Sequence, residues 1–386
     1  MSNLSASQTQ PTSAAASSSA KTRVLVLFGG RSGEHPISCI TAGSVLQAID
    51  RTRFEVIPVG ITRQGKWVLL NDELSDVQTG NNSLPFVADN GTEVILPFSS
   101  DDSTIRVIRG TEISSLGRVD VVFPLIHGPF GEDGTLQGLL ELADMRYVGP
   151  GVFASAVGMD KHYMKVVLQG HDIPVTPFVT VLPGQWATRR AEVVKKIEAL
   201  NFPVFVKPAR AGSSLGISKV ATVDGLDAAM EYAHKHDPKV IVETGLEGRE
   251  IECAVLGGKD GAPARASYPG EVAVASKDYD FYDFEAKYLD DAAVELSCPA
   301  ELSDDVTQRV RQLAIDTFEA LGCEGLSRVD VFVQPDNSII INEINTMPGF
   351  TPISMYPRMW ERTGLNYSDL VTELIDLALQ RPVGLR

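Results

Sequence analysis

The chain opens on an apolar run of strand length in "RVLVLFGGRSGEHPIS", which passes through a Gly-Gly turn into the polar start of a helix predicted to reach about Ile49. A second apolar run, "FEVIPVGI", follows that helix, and strand-helix-strand order of this kind implies a parallel sheet. Residues 64–118 break the rhythm with Asn, Asp, Gly and short β-like pieces such as "TEVILPF" and "STIRVIRG", the pattern of an inserted hairpin or loop region. The buried-strand pattern returns in "VDVVFPLIHG", and "GEDGTLQGLLELAD" supplies a helix with Asp133 and Thr135 near its start. A first domain over 22–148 follows, carrying the insert 64–118.

From residue 153 one continuous helix is expected through "ASAVGMDKHYMKVVLQ". Proline-bounded "HDIPVTPFVTV" is extended. A helix over 187–200 leads into a strand, a Gly/Ser-rich loop and another strand in "NFPVFVKPARAGSSLGISKV". Helix 223–235 and strand "KVIVETGL" complete a compact α+β unit over 149–245. The remainder, 246–386, combines strands, the aromatic and acidic stretch "KDYDFYDFEAKYLDD", a helix over 303–321, a hairpin and a last helix from about 367 to 380. No internal repeat is visible.

That hairpin, "RVDVFVQPDNSIIINEINTMPGF", carries an unusual polar face. Its two strand-like runs flank a Pro335-Asp336-Asn337-Ser338 turn, so Gln334 is expected to pair with Ile339, Asp330 with Glu343 and Arg328 with Asn345. Alternation sends Val329, Val331, Val333, Ile340 and Ile344 to the opposite face, with Asn342 as its polar exception. Directly opposed side chains stand about 4.5–5.5 Å apart at Cβ, where like charges repel. A bound cation would relieve Asp330 and Glu343. Two carboxylates and an amide oxygen, with no His or Cys, suit Mg²⁺, which completes its shell with phosphates and water. The other reading is a solvated face on which Arg328 bridges the acids.

Charge sharpens this picture. The chain has 34 basic and 50 acidic residues and a net charge of -16, which argues against a nucleic-acid partner held by general electrostatics. An anionic substrate therefore needs locally placed lysines. Lys207 stands at a strand end before the Gly/Ser loop, where uncovered backbone N–H groups can cradle an anion; no GxxxxGK[ST] loop occurs. Lys161 lies on a helix that can present it to the same site, although a helical lysine is ordinarily solvated. Glu243, at a strand end, and Glu250, beyond a turn, read as surface acids on spacing alone. Ser32 and Glu34 sit where a strand turns into a helix, with capping as their ordinary role. His127 ends "PLIHG" at the same predicted sheet edge, and the two strand ends make a second candidate pocket.

Cys39, Cys253, Cys298 and Cys323 are scattered without CxxC spacing, so neither a disulfide framework nor a zinc site is indicated and a reducing cytosol is the simplest setting. Residues 1–21 form a Ser/Ala/Thr/Gln-rich tail expected to be disordered and unlike a signal peptide, and no apolar run is of membrane-spanning length.

Taken in order, "GGRSGEHPIS", "HGPFGEDGTLQG", "MDKHYMK", "KPARAGSSLGISKV", "FYDFEAKY", "SRVDVF" and "NEINTMPGFTPIS" resemble the successive signatures of the D-alanine–D-alanine ligase family, ATP-grasp enzymes of peptidoglycan precursor synthesis. The resemblance runs from about residue 22 over nearly the whole chain. It implies α/β and α+β architecture, a Rossmann-like N-terminal domain followed by a two-part ATP-grasp fold with ATP between the last two parts.

By motif position it implies that Lys161 and Lys207 bind ATP phosphates, Glu243 the adenine side and Glu250 the ribose. Asp330, Glu343 and Asn345 would hold two Mg²⁺ ions, with Mn²⁺ as an alternative. Arg328 and the backbone N–H of Gly349 would stabilise charge at the reacting carboxyl. Glu34 would hold the first D-alanine near His127, and Ser354 with Arg328 would place the second. Glu34, Ser213 and Tyr288 would close "FYDFEAKY" as a lid that brings Lys287 to phosphate.

"EAKY" with Tyr288 is similar to the dipeptide-forming members, so an amine is expected as second nucleophile. The resemblance also implies a cytoplasmic homodimer acting on D-alanine and ATP. Ala211 departs from the acidic residue many relatives carry in that loop. The alternatives are a depsipeptide or other carboxylate-amine ligase, and a non-catalytic nucleotide-binding protein; the joint presence of Lys207, Arg328, Asp330, Glu343 and Asn345 speaks against the last.

Overall fold

The computed structural model describes residues 20–72, 74, 77–79, 84–97, 99, 101–212, 215–274 and 294–382. Strand β1 (Thr22–Gly29) and helix α1 (His35–Ala48) lead to β2 (Phe54–Ile61), which runs parallel to β1. Within the insert, β3 (Trp67–Leu69) pairs antiparallel with β2. There β4 (Val77–Thr79) pairs with β5 (Pro85–Val87), while β6 (Thr92–Ile95), β7 (Ile105–Arg109) and β8 (Glu112–Gly117) make a three-stranded sheet. β9 (Val121–Pro124) then returns beside β1 in parallel, giving the order β3-β2-β1-β9.

β1 is buried over six consecutive residues because both faces are covered. Val24, Val26 and Phe28 face the core that holds α1, whereas Leu25 and Leu27 face the core that holds α2 (Thr135–Leu142).

The expected continuous helix from 153 is two helices, α3 (Val152–Met159) and α4 (Lys161–Gly170). Asp160 separates them: it takes an extended conformation and its carboxylate accepts the N–H groups of His162 and Tyr163, starting a new helix instead of continuing the old one. β10 (Phe178–Val181), α5 (Gln185–Ile197), β11 (Val204–Pro208), β12 (Ser218–Val220), α6 (Leu226–His234) and β13 (Val240–Thr244) follow, with antiparallel sheet order β10-β13-β11-β12.

The last sheet contains β14 (Arg249–Leu256), β15 (Arg265–Ala266), β16 (Gly270–Val274), β17 (Val294–Ser297), β18 (Leu326–Val333) and β19 (Ile339–Asn345). Its order is β17-β16-β14-β18-β19, with β15 beside β14. α7 (Asp304–Ala320) covers one face. On the other lie α8 (Met355–Thr363), absent from the sequence-based assignment, and α9 (Tyr367–Gln380). Tyr356 and Trp360 of α8 are almost fully buried, and α9 packs Leu370, Leu374 and Ile375 into the same core as Val24 and Val26 of β1. The chain thus returns to its first sheet at its end, with Arg53 paired to Asp376 at 2.7 Å.

Candidate active site

The hairpin of β18 and β19 has the expected pairs where the charges lie, Asp330 with Glu343 and Arg328 with Asn345, but not at its turn. Val333, not Gln334, pairs with Ile339, because a bulge makes Asn342 an extra residue opposite the Asp330–Val331 step. The slip has a packing reason. It puts Ile339 and Ile341 in the core beside Val329, Val331 and Val333, and it moves Ile340 and Asn342 to partly exposed positions. Without the bulge Asn342 would stand on the apolar face.

The acids are compensated by cations. Arg328 makes a two-pronged contact to Asp330, at 2.7 Å from both Nε and Nη2, and Asn345 Nδ2 donates to Asp330 Oδ2 at 2.9 Å. On the other side β14 places Glu252 opposite Asp330, with its Oε2 3.3 Å from Arg328 Nε. Burial disfavours the Arg328 charge, yet Asp330 and Glu252 outweigh it and hold the guanidinium firmly protonated. Glu252 went unremarked in the sequence reading; the alternation of "REIEC" would have put it on the face of Glu250. Glu250 itself is exposed, across from Phe332 and Val272.

Facing these acids is a lysine cluster. Lys161, at the first position of α4, reaches Glu343 Oε2 at 2.9 Å and donates to the carbonyl of Ala211 at 3.1 Å. The Lys161 side chain is only 11% exposed, which overturns the solvated-helix reading. Burial opposes its charge, but Glu343 outweighs it and raises the ammonium above its usual range.

One helical turn on, fully buried Lys165 lies 3.3 Å from Glu243 Oε1, while Lys207 from the end of β11 donates to Glu243 Oε2 at 2.8 Å. Glu243 is therefore no surface acid: it is 3% exposed. Burial pushes its carboxyl up, and Lys165 with Lys207 more than reverses this, holding it down to about 2.

The third element is the edge of the first sheet. Ser32 donates to the carbonyl of His127 at 2.7 Å and accepts from the Glu34 N–H at 3.2 Å, so its hydroxyl ties two strand ends together. Glu34 precedes α1 without capping it through its side chain, contrary to the ordinary role assigned to it. Its carboxylate lies against Gly128, where φ is +74° and a Cβ would collide with Glu34 Oε2. His127 Nδ1 donates to the carbonyl of Met347 at 3.1 Å, which carries this edge to the segment following β19. Burial lowers the His127 pKa, but Glu132 at 3.8 Å and Glu34 outweigh it and raise it. Glu132 was missed because "GEDG" offers two adjacent candidate acids in a loop with no periodicity to rank them.

On that segment Gly349 and Ser354 are neighbours: a Cβ on Gly349 would lie 3.2 Å from Ser354 Oγ, which also accepts from the Thr351 N–H at 3.1 Å. Ser213, Lys287 and Tyr288 lie outside the described residues, as does the proposed lid.

Asp330, Glu343 and the amide of Asn345 fit Mg²⁺ by donor chemistry: hard oxygens on one sheet face, without thiol or imidazole. No group of three or more His, Cys, Asp or Glu side chains among the described residues makes a metal cage. An ion held here would complete its shell with phosphate and water.

Two family models match this chain, "D-ala D-ala ligase N-terminus" over residues 23–150 and "D-ala D-ala ligase C-terminus" over 167–376. The chain belongs to the D-alanine–D-alanine ligase family. A ligase of that name from Arthrobacter sp. (strain FB24) is 56% identical over 95% of this chain and 96% of its own length. One from Streptomyces coelicolor is 51% identical over 94% and 95%.

Among solved structures, the D-alanine-D-alanine ligase from Coxiella burnetii aligns with a TM-score of 0.77 at 34% identity, covering 94% of each chain. VanG D-Ala:D-Ser ligase from Enterococcus faecalis aligns at 0.80 and 35%, covering 93% of this chain and all of that one. The two sheets of the ligase that follow β9 are the ATP-grasp part, and Lys161, on the helix that precedes the first of them, bonds both Glu343 in the second and the Ala211 carbonyl in the β11–β12 loop of the first. No helix among the described residues is long and apolar enough to cross a membrane.

Proposed function

We propose that this chain joins two D-alanines into D-alanyl-D-alanine at the expense of ATP, releasing ADP and phosphate, as a step in making peptidoglycan precursors. The observation that carries the reading is the Lys161–Glu343 pair at 2.9 Å, which joins a lysine cluster suited to phosphate to an acid face suited to a divalent cation.

The carboxylate of the first D-alanine attacks the γ-phosphorus of ATP, the bond to the bridging oxygen breaks, and ADP leaves an acyl phosphate behind. Lys161 and Lys207 hold the phosphates, joined by Lys287 when the lid closes; Glu243 faces the adenine side and Glu250 the ribose. Asp330, Glu343 and Asn345 hold two Mg²⁺, or Mn²⁺, whose bound chemistry is to offset charge on the transferring phosphoryl group.

The amine of the second D-alanine then attacks the activated carbonyl, phosphate leaves with the C–O bond, and the amine gives up a proton. Arg328 and the Gly349 N–H face the developing oxyanion. Ser354 with Arg328 seats the second alanine, while Glu34 binds the ammonium of the first beside His127. Glu34, Ser213 and Tyr288 link in a network that shuts the lid and keeps water from the acyl phosphate. A cytoplasmic homodimer belongs to the same reading.

The test is phosphate release from Mg-ATP with D-alanine, L-alanine, D-alanine plus D-lactate, and D-alanine plus D-serine, with products identified by mass. D-Ala-D-Ala is the expected product, formed only with the D-amino acid. A mixed dipeptide or an ester as main product would overturn the assignment of the second substrate, and ATP consumption indifferent to D-alanine would overturn the ligase reading.

A further inference from the structure

Glu243 is served by two cations of different kinds. Lys207 is at the mouth of the Gly/Ser loop, with a side chain 12% exposed, and makes the well-formed bond to Oε2. Lys165 has no exposure at all; its Nζ approaches Oε1 at 3.3 Å as an ion pair without a well-aligned hydrogen bond. A fully buried lysine is costly, and here it is enclosed with Lys161 and Lys207 for company, which disfavour its charge further. Packing alone would be better served by Leu or Met at this helix position.

The arrangement makes sense if Lys207 has to leave. A phosphate-bound Lys207 cannot also neutralise Glu243, and a buried carboxylate stripped of its partner is strongly unfavourable. Lys161 cannot replace it, being engaged with Glu343 and the Ala211 carbonyl. Lys165 can, since it already stands on the other oxygen.

We propose that Lys165 is a positioning residue that acts through Glu243: it is the resident counter-cation of that carboxylate and so releases Lys207 to the phosphates of the nucleotide. The proposal rests on the ligase reading for the identity of the phosphate donor.

Its test is Mg-ADP binding by calorimetry to the wild-type chain, Lys165→Met, Glu243→Gln and the double variant, with thermal unfolding to confirm that each is folded. Lys165→Met is expected to weaken ADP by about tenfold or more, because Lys207 is then held by an otherwise unpaired Glu243. With Gln at 243 there is no charge left for Lys165 to hold, so the double variant is expected to bind ADP as tightly as Glu243→Gln alone. A merely structural lysine predicts the reverse, a second loss on top of the first, and that result would overturn the proposal.

Unchanged affinity in folded Lys165→Met would overturn it as well. If Lys165→Met does not fold, the double variant against Glu243→Gln decides by the same criterion, since both ends of the buried pair are then neutral. A wild-type chain that binds no nucleotide overturns the ligase reading and this proposal together, whereas equal binding by wild type and Lys165→Met overturns this proposal alone.

Discussion

The acid face of β14, β18 and β19 and the lysine cluster of α4, β11 and β13 are opposite solutions to one physical problem. On the first, Arg328 ion-pairs with Asp330 and Glu252, and Glu343 stands opposite Asp330. In the second, Lys161, Lys165 and Lys207 surround the single carboxylate of Glu243. Each gathers side chains mainly of one sign, and one pair, Lys161 with Glu343, crosses between them.

Elsewhere in the same lobe the chain does the ordinary thing. Asp160 and Lys239 form a buried one-to-one pair at 2.8 Å, with Asp160 also capping α4. The difference separates an ion pair closed on itself from clusters that gather one sign of charge on each side of a seam. A face rich in carboxylates suits a cation and a cluster of lysines suits phosphate, the two kinds of group that the proposed Mg-nucleotide would bring.

The most severe way to break the acid face is Arg328→Met. If this guanidinium stabilises the oxyanion, turnover should fall by roughly 10²- to 10³-fold with ATP affinity little changed; a turnover equal to wild type would remove Arg328 from the mechanism. Next comes the balanced pair as a control. Lys239→Met leaves Asp160 buried and uncompensated and should cost about 3–5 kcal/mol of stability in denaturant unfolding. The Mg²⁺ dependence of the folded enzyme should stay where it was, and a shift there would blur the distinction between structural and ligand-directed pairs.

Glu343→Gln removes the acid at the crossing point. The Mg²⁺ concentration needed for half-maximal rate should rise by roughly tenfold, and a superimposable Mg²⁺ titration would show that Glu343 binds no metal.

The smallest effect concerns a site that avoids charge altogether. His35 is fully buried, its Nδ1–H donating to Gly30 O at 2.6 Å and its Nε2 accepting the Val87 N–H at 3.0 Å, which ties the insert to the first loop. Burial lowers its pKa below the ordinary 6.5. The unfolded chain therefore takes up the proton first, and this contribution to stability is complete above pH 6.5 and declines as pH falls toward the folded value. Unfolding free energies of wild type and His35→Phe between about pH 5 and pH 8 should converge as pH falls. His127, whose raised pKa gives the opposite slope, is common to both and cancels in that difference. A gap independent of pH would mean that His35 does not titrate with folding.

How much was readable in advance depended on periodicity. β1, β2 and β9 announced themselves as continuous apolar runs because a parallel sheet covered on both faces demands them. Asp330 facing Glu343, and Arg328 facing Asn345, followed from counting out from a turn, but the count was right there for an incomplete reason. A one-residue error at the turn was cancelled by the bulge at Asn342, and the expectation failed for Ile340, which stands outside the core. α8 was missed although Met355, Tyr356, Met359 and Trp360 recur at helical spacing, because the segment is short and Pro357 reads as a breaker, whereas in the first turn of a helix its missing N–H costs nothing.

The sequence by itself determined most of the order of strands and helices, the alternation that puts the hairpin's acids on one face, and the family, since six of the seven ordered motifs fall within the two matched segments. Only the tertiary structure decided which charges meet. Glu252 reaches Arg328 because β14 lies beside β18, Lys165 and Lys207 converge on Glu243 from separate elements, and α9 closes over the core of β1 from the far end of the chain. Local sequence fixes which way a side chain faces along its own strand or helix; its partners across space depend on packing among residues tens to hundreds of positions apart, where no local periodicity carries the information.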